Sequence, residues 1–209
     1  MYTPPAFRED DPDLLRAQIA ESRLALLATN GPDGIPLVTP LPLLLDGPDH
    51  LLGHLARANP HAKALPATAR ALVLFQGPEA YISPSFYESK KEHGRVVPTW
   101  NYEAITAECD VETFDDPDRL RDAVTRLTTR HEAARPDPWA VSDAPPEFTA
   151  AQLRGIIGIR LAITRLSGKR KLSQNRPEAD RAGVTAGLSA SPDPRDQAVA
   201  SAMAGMQTR

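Results

Sequence analysis

Residues Phe75 to Tyr102 read FQGPEAYISPSFYESKKEHGRVVPTWNY. Aromatic residues make up only 5% of this 209-residue chain. Yet the stretch holds three of four tyrosines, one of two tryptophans and two of five phenylalanines. Ala71-Leu72-Val73-Leu74-Phe75 predicts a strand entering the core. Gly77-Pro78 predicts a turn. Ala80-Tyr81-Ile82 predicts that the strand resumes, and Ser83-Pro84 that it stops. Phe86 to Gly94 has a loop composition. Val96 to Tyr102 opens a second long strand. Two aromatic-rich strands, bridged by a loop carrying Lys90, Lys91, His93 and Arg95, suit a flat pocket with a cationic rim and a planar anionic ligand. The competing reading is an ordinary core, because tertiary context decides what a half-buried strand face meets.

Upstream, Asp10 or Asp11 followed by Pro12 marks a helix start, and Leu15 and Ile19 lie on one face of that helix. The arm before it, Met1 to Glu9, carries Tyr2 and Phe7 as anchors. Three short strands follow: Leu24–Thr29, Leu37–Leu45 with bends at Pro40 and Pro42, and Leu51–Ala56. Turns at Asn30–Gly34 and Asp46–Asp49 separate them, which predicts an antiparallel meander. The strands are apolar on nearly every position, so both faces are expected to be covered. After them, Asn59 predicts a cap for a short helix beginning at Pro60. Arg57, Asn59 and Lys63 gather there as candidate phosphate ligands, since charge-assisted bonds to an anion are strong. A capped surface turn with solvated cations fits the same residues.

Downstream, Ala104 to Phe114 continues the second long strand, with Cys109 as a small buried thiol. Asp115-Asp116-Pro117 predicts a capped helix with Leu120, Ala123, Val124 and Leu127 on one face. Arg121, Arg126 and Arg130 are assigned to solvent. Residues 133–146 predict a loop, Glu147–Leu153 a short helix, and Ile156–Thr164 an alternating strand. Ser167–Arg176, SGKRKLSQNR, reads as a second phosphate-competent loop or as a plain basic one. Pro177–Leu188 and Asp196–Met206 predict two final helices.

FQGPEAYISPSFY, VVPTWNY and KLSQNRPEADRAG, together with MYTPPAF and GHLARANP, resemble the PaiB-type family of FMN-binding negative transcriptional regulators. The resemblance runs from Met1 to beyond Gly187. It implies a mostly β, antiparallel FMN-binding split β-barrel with flanking helices, related to pyridoxamine-phosphate oxidase and working as a homodimer. It implies FMN as cofactor and a regulatory role, with nucleic acid as a partner on the resemblance alone. Residues 1–188 are then one split-barrel domain. Residues 189–209 are a linker and a C-terminal helix packing on it. On chemistry and fold analogy, the flavin-binding residues are Arg57, Asn59 and Lys63 with Lys171 and Ser173 for the phosphate. Tyr81 and Trp100 are assigned to the ring, and Gln174 and Asn175 to its polar edge. Two positions depart from the family pattern: Pro40 stands where a His is usual, and Arg170 where a Trp is usual. Alternatives are a flavin-dependent oxidoreductase of the pyridoxamine-phosphate-oxidase-like type and, further off, a haem-handling split barrel.

Composition bounds these readings. The 21 prolines are about twice the usual share, which favours turns and strand edges over long helices. A net charge of -3 gives no general attraction to nucleic acid. The lone Cys109 excludes an internal disulfide and a cysteine-only zinc cluster. No G-x-G-x-x-G, Walker loop, H-E-x-x-H or G-x-S-x-G occurs, and no helix-turn-helix signature stands out. No signal peptide and no 18-residue apolar run is seen, so a cytoplasmic protein with no membrane partner is expected.

Overall fold

A computed structural model describes residues 1–65 and 70–206 of the chain. The last three residues of the expected 189–209 tail lie outside these described residues. The strands are β1 (Arg8–Glu9), β2 (Ala25–Thr29), β3 (Leu37–Leu41), β4 (Leu44–Leu45), β5 (His50–Ala56), β6 (Arg70–Ile82), β7 (Thr99–Phe114) and β8 (Ile156–Lys171). The helices are α1 (Pro12–Glu21), α2 (Pro60–Ala64), α3 (Ser89–His93), α4 (Pro117–Glu132), α5 (Pro146–Arg154), α6 (Glu178–Ser189) and α7 (Pro194–Met206). The sheet is antiparallel, in the order β3-β2-β6-β7-β8-β5-β4, with β1 on β8. The described chain divides into two compact units. One comprises Met1–Asp11, Gln76–Ile105 and the chain from Ser167; the other comprises Pro12–Phe75 and Thr106–Leu166.

In the second unit, helix starts follow local chemistry. Asp116 Oδ1 accepts from Arg119 N at 2.9 Å to cap α4, and Asn59 Oδ1 accepts from His61 N at 2.9 Å to cap α2. Leu120, Ala123 and Leu127 form the buried stripe of α4. Leu120 and Ala123 pack with Leu52, Phe114 and Leu153. Each such large side chain contributes about 1.5–3 kcal/mol through burial. Phe114 fits because Gly158 has no Cβ; one built there would run into the Phe114 ring.

Of the three arginines of α4 expected to face solvent, Arg121 is exposed, whereas Arg126 and Arg130 are partly covered and bound to other elements. Arg126 donates to Asp46 Oδ1 at 3.0 Å. Arg130 donates to the carbonyls of Ser22 at 2.9 Å, Leu43 at 3.3 Å, and Ala20. Asp46 also accepts from Arg160 at 2.9 Å, and these two guanidiniums hold its carboxyl below the usual carboxylate range, Arg160 most strongly. Loop carbonyls and a turn carboxylate recruited these cations, and helical periodicity carries no signal for such partners.

Three strand expectations also change. The strand expected over Leu37–Leu45 is broken at Pro42-Leu43. Its first part, β3, pairs with β2, and its second, β4, pairs with β5. β6 runs straight through Gly77-Pro78, where a turn was expected. Its ladder with β2 covers only Leu72 to Leu74, so Pro78 lies past any β2 partner, and its missing N–H costs no bond there. β8 continues through the basic segment to Lys171 instead of opening into a loop at Ser167.

In the first unit, α6 and α7 pack together over Ile82, Tyr87 and Leu172. Val184, Leu188, Val199 and Met203 supply the helical side of this core. Pro84–Phe86 forms a 3-10 turn, and α3 ends at Gly94 with φ 68°. The segment expected as a loop is therefore partly helical. Phe7 is buried, as an anchor should be, whereas Tyr2 is largely exposed.

Candidate functional site

The first candidate set lies in the second unit, where β5 ends and α2 begins. Arg57 follows β5. Its Nε donates to the carbonyl of Arg154 at 3.2 Å and its Nη2 to that of Ile156 at 3.1 Å. Nη1 is 3.9 Å from Asp115. The guanidinium is thus oriented by backbone carbonyls, and its side chain is half exposed. Lys63 is exposed, and its ammonium has no partner among the described residues. Asn59 uses its oxygen for the cap and its amide nitrogen on Thr39 Oγ1, at 3.4 Å.

Beside them sits a residue that sequence patterning does not single out. His61 is buried, with Nε2 2.9 Å from Thr29 Oγ1 and Nδ1 2.8 Å from Thr39 Oγ1. Burial lowers its pKa, so the ring is neutral, one nitrogen donating and the other accepting. It ties α2 to β2 and β3. The available signal was the recurrence of Thr in both strands of the hairpin, too weak to single out.

β2, β3 and β6 present an apolar face to the outside. Val38 and Leu72 both stand opposite Ala28 in the ladders, so they share its face. They are 55% and 42% exposed, and Leu26 is also exposed. Pro40, the first departure, is an exposed residue of β3 opposite Leu26.

The second set lies in the first unit. Tyr81 on β6 and Trp100 on β7 are both about half exposed. Their ring centroids are 5.9 Å apart at an interplanar angle of 71°, an edge-to-face pair. Lys171, at the end of β8, donates to Thr99 Oγ1 at 2.8 Å and to the Trp100 carbonyl. Burial lowers its pKa, helped by the Lys169 and Arg176 charges.

The turn after β8 is internally bonded. Ser173 is buried in a left-handed conformation, φ 65°, with its hydroxyl on Asn101. Gln174 Oε1 accepts from Leu172 N at 2.7 Å, and its amide nitrogen donates to the Arg170 carbonyl. Asn175 is exposed. Arg170, the second departure, forms ion pairs with Glu103 and, at 3.6 Å, with Glu9, all three side chains being largely buried. Lys169 donates to the Tyr2 carbonyl at 3.1 Å and faces the Tyr102 ring at 5.0 Å. The basic run thus holds the N-terminal arm, which its composition did not reveal.

A family model described as "Putative FMN-binding domain" matches residues 1–165. The chain is 30% identical over 206 residues to "Protease synthase and sporulation protein PAI 2" of Bacillus subtilis, covering 97% of this chain and 96% of that one. It is 34% identical over 226 residues to the protein AN0679 of Emericella nidulans, covering 90% of each. Among solved structures, the FAD and heme binding protein of Mycobacterium smegmatis aligns with TM-score 0.60 and 20% identity over 78% of this chain and 73% of that one. The flavocytochrome Anf3 of Azotobacter vinelandii aligns with TM-score 0.58 and 16% identity, over 84% and 75%. At these identities the two structures speak to the fold, a mostly β split barrel with flanking helices.

Proposed function

The chain belongs to the PaiB-type FMN-binding family, and on that premise we propose that it is a homodimeric FMN protein with a regulatory role. Its cofactor is FMN. The observation that carries the reading further is the donor set at the β5–α2 junction. Lys63 offers an ammonium with no partner among the described residues, and Arg57 a half-exposed guanidinium already oriented by two carbonyls. A phosphate monoester is the anion that such donors suit, and each charge-assisted bond contributes about 1.5–3 kcal/mol. Asn59 holds the turn that carries both.

The exposed pair Tyr81 and Trp100 supplies flat apolar surface of the kind an isoalloxazine ring packs against. Lys171 and Ser173 are proposed as further phosphate-side residues, and Gln174 and Asn175 as polar-edge residues. When bound, the flavin supplies the redox chemistry, and the protein supplies grip and electrostatics. Lys171 fixes the strand start that carries Trp100 by holding its carbonyl.

The homodimer rests on the outer face of β2, β3 and β6. Leu26, Val38 and Leu72 form a contiguous apolar patch there. Such patches mark interaction surfaces, and stable dimers bury large ones.

Freshly purified protein should carry a flavin absorption spectrum and scatter light as a dimer at micromolar concentration. It should not oxidise NAD(P)H in steady turnover, and deleting its gene should change transcript levels. Steady turnover with no change in transcripts would replace the regulatory role with a flavin oxidoreductase and leave the FMN site standing.

A further inference from the structure

His61 is 3% exposed, and its ring bridges two strands. Nε2 lies 2.9 Å from Thr29 Oγ1 on β2, and Nδ1 lies 2.8 Å from Thr39 Oγ1 on β3. Two residues further along α2, Lys63 is exposed and has no partner among the described residues. We propose that His61 is the positioning residue of the phosphate site, its two ring bonds setting the pose in which α2 offers Lys63 to the flavin phosphate. This role rests on the reading of the β5–α2 junction as the phosphate site. It makes His61 a determinant of the preference for FMN over riboflavin.

Helix α2 needs such an anchor. It has five residues, Pro60–Ala64. A helix that short is not stable alone, because nucleation costs more than so few bonds return. Its pose therefore comes from what holds it. Asn59 Oδ1 accepts from His61 N at 2.9 Å, and Asn59 Nδ2 donates to Thr39 Oγ1 at 3.4 Å. Thr39 Oγ1 thus meets both the cap and the ring, closing a loop of polar bonds around the helix start. Ala62 and Leu65 are buried beside it, but apolar burial is non-directional, whereas hydrogen bonds have a preferred geometry. Residues two apart on a helix are turned by about 200° from each other. Holding His61 inward therefore holds Lys63 outward.

The ring acts through α2 and not on the ligand itself. Thr29 and Thr39 share the hairpin face of the buried Leu27 and Leu41. Covered hydroxyls there need partners, and one neutral imidazole supplies a donor and an acceptor. Both nitrogens are then spent, which leaves none for a phosphate. Arg57 is held differently, by the Arg154 and Ile156 carbonyls. Loss of the His61 bonds should misplace Lys63 and leave Arg57 where it is.

The test is the ratio of FMN to riboflavin affinity, measured by fluorescence titration of flavin-free protein. His61→Phe keeps a ring and loses both bonds, and should lower the ratio about tenfold, the scale of one charge-assisted bond. His61→Gln, whose amide again offers donor and acceptor, should restore most of it. His61→Phe combined with Lys63→Ala should match Lys63→Ala alone, because residues acting through one contact are not additive. A merely structural role would weaken both flavins alike, so an unchanged ratio in His61→Phe overturns the proposal. So does a double variant whose ratio falls below that of Lys63→Ala, or a Gln variant no better than Phe. Should His61→Phe fail to fold, Thr29→Val and Thr39→Val decide, each removing one hydroxyl at nearly constant shape. A severalfold lower ratio supports the role, and an unchanged ratio in both overturns it. An unchanged ratio in Lys63→Ala would refute the phosphate site, and the His61 role with it. A fall in Lys63→Ala with none in His61→Phe would refute the His61 role alone.

Discussion

Asn101 and Ser173, 72 residues apart in sequence, share a buried hydrogen bond in which the Asn101 amide donates to Ser173 Oγ at 2.9 Å. Ser173 holds the left-handed turn that ends β8, and the same amide reaches Met203 Sδ on α7 at 3.5 Å. One side chain on β7 thus fixes both the turn and the last helix. Asn101→Ala should lower unfolding free energy by about 1–3 kcal/mol, because the buried Ser173 hydroxyl loses its partner. Ser173→Gly should cost less, since glycine accepts the positive φ without strain. Urea midpoints of the two variants check this order, and a reversed order would remove Asn101 from its role.

Phe86 lies in a notch cut by two glycines of α6. A Cβ at Gly187 would sit 2.5 Å from its ring, and one at Gly183 would strike the Phe86 carbonyl. Gly187→Ala should therefore destabilise the fold by about 1–3 kcal/mol through overpacking, despite the better helix propensity of Ala. Phe86→Leu should recover part of that loss, because residues in contact couple. Thermal unfolding of the two single variants and the double variant measures the coupling. Strict additivity would contradict the notch.

Burial lowers the pKa of both His54 and His61, and His54 Nδ1 has no hydrogen-bond partner among the described residues. Each ring is neutral when folded, so the unfolded chain takes up protons first as pH falls. The stability from each ring is complete above about pH 6.5 and declines below it, through the lowered folded value, by up to about 1.4 kcal/mol per pH unit. Asp46 and Asp180 are also lowered, from 3.8, so their contribution fades only in more acidic solution. Denaturant titrations at pH 7.0, 6.0 and 5.0 (about one-unit steps across that window) should show a steady loss in wild type. The loss should be shallower in His54→Leu, and an unchanged slope would show that the ring titrates normally.

Cys109 is fully buried in β7, and burial pushes its thiol up to about 12, with Asp110 adding to the shift. Only the thiolate reacts with disulfide reagents. The native protein should leave such a reagent unreacted over hours and release one equivalent of colour only once urea unfolds it. Rapid reaction in native buffer would mean that β7 opens locally.

What the sequence disclosed here was local. Asn59 and Asp116 announced their helices because a cap is read from three or four adjacent residues. The β2–β3 hairpin followed from Asn30–Gly34, and the stripe of α4 from its spacing. What stayed hidden depended on distant partners. Gly77-Pro78 looks like a turn until Glu103 is placed beside it, where its Cβ would lie 2.9 Å from one built on Gly77. Ser167–Lys171 looks like a basic loop until Glu9, Glu103 and the Tyr2 carbonyl are seen to receive its cations. For the candidate site, residue types were legible, but which cations remain open to a ligand was not. Lys63 and Lys171 look alike in sequence and differ in the fold.

The Lys63 ammonium has no partner among the described residues, so Lys63→Ala should leave the stability of the flavin-free protein within about 0.5 kcal/mol of wild type. It should weaken FMN by about 10- to 100-fold, the loss of one charge-assisted bond. Riboflavin, which lacks the phosphate, should bind both forms alike, so the FMN-to-riboflavin ratio collapses. Arg57→Ala should act the same way on that ratio but also lower stability, because its guanidinium holds the Arg154 and Ile156 carbonyls. Lys171 holds Thr99 and the Trp100 carbonyl. Lys171→Ala should therefore destabilise the flavin-free protein, and as a phosphate-side residue it should lower FMN affinity as well. Lys171→Met separates these effects, since it keeps most of the packing and lacks the charge. Fluorescence titration with FMN and with riboflavin, beside urea unfolding of each flavin-free variant, reads both quantities. An unchanged FMN-to-riboflavin ratio in Lys63→Ala and Arg57→Ala would move the phosphate away from the β5–α2 junction and leave the family and the fold untouched.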